Sequence, residues 1–160
     1  MLYSMVKNRK RLSFRVTCLL FVLNGIMLNA EPLRFNMVFT YDTNPLSAML
    51  ILKTEGGVTK GGMVNEFGVS FVEFTIRNGK AKIVRLNPIL KRPFIKKVLK
   101  RDFELLWACL QREEDGTIQS RGGGVYRAFC VRQTDPESKL LSLQLEHQKL
   151  PLTINLHQFY

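Results

Sequence analysis

Val69-Ser-Phe-Val-Glu-Phe-Thr-Ile-Arg77, then Asn78-Gly79, then Lys80-Ala-Lys-Ile-Val-Arg-Leu86, is the stretch that decides the fold. Two runs rich in β-branched and aromatic residues flank an Asn-Gly pair. That pair accepts the positive φ angles of a tight hairpin turn whose twist matches the strands it joins. The stretch predicts an antiparallel pair of strands.

Upstream the same period of two recurs. Leu33, Phe35, Met37, Phe39 and Tyr41 fall on one face, and Arg34, Asn36 and Thr40 on the other. Asp42-Thr43-Asn44-Pro45 reads as a turn. Leu46 to Thr54 is a second strand, apolar on both faces at its centre, and Gly56-Gly57 ends it. Val58 to Glu66 is a weaker strand, in which Gly61-Gly62 favours a bulge or bend.

Downstream the period changes. Apolar residues from Leu90 to Leu110 recur at helical spacing: Phe94 and Val98, then Ile95, Leu99, Phe103, Leu106 and Leu110. This predicts one amphipathic helix starting near Pro93, which suits a first helical turn. Arg92, Lys96, Lys97, Lys100 and Arg101 form its basic stripe. Strands are expected again at Val125–Gln133, Leu140–Glu146 and Pro151–Tyr160. Five strands, one helix and three strands make an α+β chain, mostly β. Its expected form is a curved antiparallel sheet or half-barrel, with the long helix on its concave side.

The first thirty residues read as a secretory signal. Lys7, Arg9, Lys10, Arg11 and Arg15 precede an apolar run, Val16–Leu28, that ends at Asn29-Ala30. The run is shorter than the roughly 20 residues that span a bilayer. It is expected to be cleaved, with retention as an anchor the alternative. Cys18 precedes most of the apolar core, so it reads as a small apolar residue of the signal. Residues 31–160 then form a single domain outside the cytoplasm, in the periplasm or on the periplasmic face of an outer membrane. They carry 19 Lys and Arg against 13 Asp and Glu, a net charge of +6. That balance suits work near anionic lipid, and because export removes the chain from nucleic acid, no nucleic-acid partner is expected. Cys109 and Cys130 either pair, closing a loop of about 22 residues for roughly 3 kcal/mol, or stay as two buried thiols.

Several words of sequence carry a resemblance. Ser47 to Lys53 reads Ser-x-x-Leu-Ile-Leu-Lys, and Asn65 to Val69 reads Asn-Glu-Phe-Gly-Val. Phe71 to Phe74 and the helical Lys100 to Leu106 follow in the same order. From Leu33 to Trp107 the chain resembles the LolA/LolB-like lipoprotein carrier and receptor family, in the divergent form of Bacteroidetes-type envelope proteins. The resemblance implies an open half-barrel whose apolar cavity holds acyl chains, with lipid or an acylated lipoprotein as partner and a role in lipoprotein sorting. The receptor members are lipoproteins, and no lipobox cysteine is placed for that here. Nor does any arginine of this chain align with the one that holds the carriers' lid shut.

Large apolar residues on a concave face leave a hollow to be filled. The expected acyl-cavity lining is Phe35, Met37, Phe39, Met49, Ile51, Phe71 and Phe74 from strands, with Phe94, Val98 and Leu106 from the helix. The alternative is that these side chains fill the space themselves and the protein is a structural or assembly module of the envelope. Phe67, on a turn, either inserts into a membrane or partner or folds back as a plug. The basic stripe either meets anionic headgroups or is a solvated face. No nucleophile elbow or metal-ligand spacing is present, so no enzyme, metal or cofactor is expected.

Overall fold

The Asn-Gly pair turns the chain as its chemistry requires. Asn78 and Gly79 both take positive φ, 50° and 70°. They join β4 (Ser70–Arg77) to β5 (Lys80–Leu86) as an antiparallel pair. The computed structural model describes residues 31–120 and 126–160. The residues from Glu31 to Tyr160 form one compact unit. Residues 1–30, the expected signal with Cys18, and residues 121–125 lie outside the described residues.

Upstream of the hairpin are β1 (Leu33–Tyr41), β2 (Asn44–Glu55) and β3 (Val58–Val64). The β1–β2 turn is tighter than expected: Asp42 takes a φ of 58°, and Pro45 already lies in β2 opposite Thr40. Strand β3 runs straight through Gly61-Gly62, and its register shifts instead between Met63 and Val64. A short 3-10 turn, Pro88–Leu90, follows β5, with the Asn87 side chain accepting from the Ile89 N–H at 3.1 Å. Helix α1 then runs from Pro93 to Leu110. Four strands follow rather than three: β6 (Gly116–Gln119), β7 (Ala128–Thr134), β8 (Leu141–His147) and β9 (Leu152–Phe159). Four residues with one apolar side chain give β6 no period to read.

All nine strands join one antiparallel sheet in the order β5-β4-β3-β2-β1-β9-β8-β7-β6. The sheet is curved and does not close into a barrel. Helix α1 leaves from edge strand β5 and returns into the opposite edge, β6. It therefore lies across the concave face, against β5, β6, β7 and β8. Hydrogen-bond register sets which residues face it: Leu50 lies opposite Phe35, and Leu156 opposite Met37. Burial follows the same alternation, with Phe35, Met37, Leu50, Leu52, Leu143, Leu145, Ile154 and Leu156 all inside.

Candidate functional site

The helix fills the hollow it covers. Phe103 of α1 stacks on Phe74 of β4, ring centroids 3.8 Å apart and planes 10° from parallel. Gly61 leaves room for that pair, since a Cβ there would lie 2.2 Å from Phe74 Cζ. What remains between sheet and helix is about 10 Å³, near Phe35, Phe74, Phe103 and Leu106, room for no more than one water. This corrects the expected lining. Phe35, Phe74 and Leu106 are packing residues of the closed interior, and Met37 is buried among them in the same core. Met49 and Ile51 pair with Asn36 and Arg34, which puts them on the convex face. Phe71 is half-buried and lines neither cavity.

An apolar cavity lies at one end instead. It has a volume of about 330 Å³ and is lined by Phe39, Tyr41, Leu46 and Met63 from strands, Phe94, Ile95, Val98 and Leu99 from α1, and Leu90, Leu150 and Leu152. Of the expected lining, Phe39, Phe94 and Val98 belong here. The others escaped sequence reading because this pocket forms where the first turns of α1 lift away from the ends of β1, β2 and β9. Arg92 is its one charged wall residue. Antiparallel pairing brings the last residue of β1, the turn before β4 and the start of α1 to this same end.

That end also carries most of the exposed large apolar side chains among the described residues. Tyr41 is 55% exposed, Phe67 81%, Ile89 79% and Phe94 53%, with Leu46 and Val69 exposed beside them. Phe67 does not fold back. Asn65 Oδ1 accepts from the Phe67 and Val69 N–H groups at 3.0 and 2.8 Å, a side-chain-capped turn that holds the ring outward. The basic stripe divides. Arg92 lies at the cavity, and Lys96, Lys97 and Lys100 face β5. Arg101 is half-buried, its guanidinium 5.0 Å from the Tyr126 ring, which withdraws it from the expected contact surface.

The composition gave no sign of one buried polar cluster. Asp102, on the inner side of α1, is fully buried. Its Oδ1 accepts from the Tyr126 hydroxyl and lies 3.0 Å from His147 Nε2. His147 Nδ1 lies 3.1 Å from the Leu152 carbonyl, to which it donates. Burial raises the Asp102 pKa against the opposing pull of His147 and Tyr126. Burial opposes charge on His147 too, but the hydrogen bond and charge of Asp102 outweigh it and raise the imidazole above its ordinary value. The pair therefore holds a proton more firmly than either group would alone. It ties helix to sheet, and its wholly buried side chains offer no access to a substrate.

Cys109 and Cys130 are free and buried, with Cys109 Sγ 3.6 Å from the Cys130 carbonyl oxygen. Of the two readings left open by sequence, the structure holds two packed thiols. Among the described residues, no cluster of three His, Cys, Asp or Glu could hold a metal ion, and no helix is long and apolar enough to cross a membrane. A scan against protein-family models finds no match to this chain, and a search of curated proteins finds no relative.

Proposed function

We propose that this protein binds the hydrocarbon chain of a lipid or acylated protein in the end cavity, at the cell envelope outside the cytoplasm. The observation that carries the reading is a 330 Å³ apolar cavity opening beside an exposed apolar rim. That volume lies at the small end of ligand sites, enough for part of an acyl chain. Each methylene buried there contributes about 0.8 kcal/mol. Phe94 in the cavity wall, and the exposed Phe67 and Ile89 at the same end of the fold, are the side chains a lipid surface would take up first. The export segment and the resemblance to lipoprotein carriers and receptors support the same reading. Arg92 would meet a carboxylate or headgroup at the entrance. A role in lipoprotein sorting is the specific form that the resemblance favours.

The filled interior favours a second reading, an envelope module that uses the sheet without a ligand. Titration of delipidated protein with a fluorescent fatty acid separates the two. The first reading expects saturable uptake by the wild type. It also expects loss of uptake in Ile95→Trp, which fills the cavity from its half-exposed wall. No uptake by the wild type, or uptake unchanged by Ile95→Trp, sinks the binding role.

A further inference from the structure

The buried polar cluster is also part of the frame of the end cavity. His147 has an acceptor at each ring nitrogen: Asp102 Oδ1 lies 3.0 Å from Nε2, and the Leu152 carbonyl lies 3.1 Å from Nδ1. Leu150 and Leu152, around the start of β9, line the cavity, and so do Val98 and Leu99, about one turn before Asp102 on α1. The bridge Asp102–His147–Leu152 therefore joins the helical part of the cavity wall to the sheet part. The segment carrying Leu150 and Leu152 has a second tie, in which the Pro151 carbonyl accepts the Asp42 N–H at 2.7 Å. That tie is backbone alone and does not titrate, whereas the histidine tie does.

A neutral imidazole carries a single N–H. Both contacts of His147 are hydrogen bonds only while the Asp102–His147 pair holds one further proton, on the ring or on the carboxyl. With that proton gone, an ionised carboxylate faces a neutral ring. A ring hydrogen on Nδ1 would then leave the lone pairs of Nε2 and Asp102 Oδ1 facing each other at 3.0 Å. Asp102 Oδ2 is buried and already lacks a partner, so the carboxylate is the group that loses most by losing a donor. The hydrogen stays on Nε2, and the Leu152 carbonyl gives up its histidine donor. The groups around the pair do not titrate with it. Burial and the Asp102 charge push the Tyr126 hydroxyl far up, so it stays neutral. Arg101 lies over the Tyr126 ring, and Glu104 accepts the Ala81 N–H. Strand β7 sets Ala128 opposite His147, and Glu146 of β8 alternates to the convex face, where it accepts from Gln144. Arg127 and Lys149 are exposed.

We propose that the Asp102–His147–Leu152 bridge is a latch on the end cavity, closed while the pair holds its proton and released when that proton leaves for solvent. His147 titrates above its ordinary value of 6.5, so the latch opens above that pH. Release lets α1 and the Leu150–Leu152 segment part, and a cavity of about 330 Å³ then takes in more of a hydrocarbon chain. The inference rests on the acyl-chain reading for what enters the cavity, and on the bridge alone for the latch.

The test uses the full chain from about pH 6 to about pH 10, a span that covers the ordinary histidine value and a rise of about three units. Ring NMR shifts of His147 are expected to report loss of a proton, with the remaining hydrogen on Nε2. Over the same titration, hydrogen-exchange protection of the Val98 and Leu99 amides is expected to fall at least threefold relative to that of the buried Val72 in β4. Diphenylhexatriene, an uncharged hydrocarbon probe with no titrating group, is expected to bind at least threefold more tightly above the transition. His147→Gln and Asp102→Asn are each expected to make relative protection and probe affinity independent of pH. His157→Gln, at the exposed histidine opposite Asn36, is expected to keep the wild-type profile. A His147 ring that keeps its proton throughout, or loses it and holds its hydrogen on Nδ1, overturns the proposal. So does a titration that leaves relative protection unchanged, or a pH profile that survives in a folded His147→Gln or Asp102→Asn variant. Changed protection with no probe bound at any pH upholds the latch and sinks the acyl-chain reading, so the two failures remain distinct results.

Discussion

Gly61→Ala puts the closed interior to the test. The added Cβ would lie 2.2 Å from Phe74 Cζ and 2.5 and 2.6 Å from the two ring carbons beside it. Carbon atoms pack at about 3.5–4.0 Å, so the ring must retreat by more than an ångström. Phe103 already stacks on that ring at 3.8 Å and belongs to the helix. Retreat therefore moves α1 or forces strained rotamers. Overpacking of this kind costs about 1–3 kcal/mol, and two coupled rings place it toward the upper end. A 130-residue unit has an unfolding entropy of roughly 0.27 kcal/mol/K at about 2.1 cal/mol/K per residue. The expected fall in Tm is then about 4–11 °C by calorimetry or circular dichroism. Phe74→Leu removes the clashing ring edge, so the double variant should lose clearly less than the sum of the two singles. An unchanged Tm in Gly61→Ala, or strict additivity in the double variant, would refute the tight packing of Phe74 between Gly61 and Phe103.

The buried Asp102–His147 pair predicts the direction of a pH dependence. Both groups have raised pKa values in the fold, so their contribution is fully present at low pH and lost as pH rises through the folded values. Stability should therefore fall as pH rises above 3.8, the ordinary value for Asp102, and further above 6.5, that for His147, by up to about 1.4 kcal/mol per unit for each group. Denaturant titrations should show that slope flattened in His147→Gln. Asp102→Asn removes a fully buried carboxylate but leaves the Tyr126 and His147 groups poorly paired, and should cost about 3 kcal/mol, read as a lower denaturation midpoint. Cys109 and Cys130 are both fully buried. Iodoacetamide should therefore label them only as fast as the protein opens, and rapid labelling of the native protein would contradict the packing at the helix–sheet contact. Phe67→Asp should leave Tm within about 1 °C, because the ring is already in solvent, while reducing sedimentation with lipid vesicles.

Strands and helix were legible because their signals are local. Alternation in β1, the Asn-Gly turn before β5 and the helical spacing from Pro93 to Leu110 are each read from one short contiguous stretch. The site was less legible because it depends on register. Whether Leu50 or Ile51 faces inward follows from β2 pairing with β1, and the centre of that strand is apolar on both sides. The filling of the hollow depends on a contact between Phe74 and Phe103, which are 29 positions apart, and on a glycine that reads more naturally as a bend. Asp102, Tyr126 and His147 come from a helix, the segment before β7 and the end of β8. No spacing rule links them. Phe67 was visible as a residue, but only the fold shows that its ring stays outward.

The pairing of β1 with β9 has a consequence for how the chain is made. Arg34 lies opposite Phe159, so the opening strand of the unit waits for the closing one. Until about 120 further residues have emerged, one long flank of β1 has no neighbour, and that strand carries Phe35, Met37 and Phe39. Pairings this distant in sequence form late and slowly. A nascent chain of this protein therefore has a prolonged period as an adhesive, half-finished ribbon, ended only when Leu152–Phe159 has emerged. Loss of that final strand would prolong that period indefinitely, and aggregation is its expected outcome.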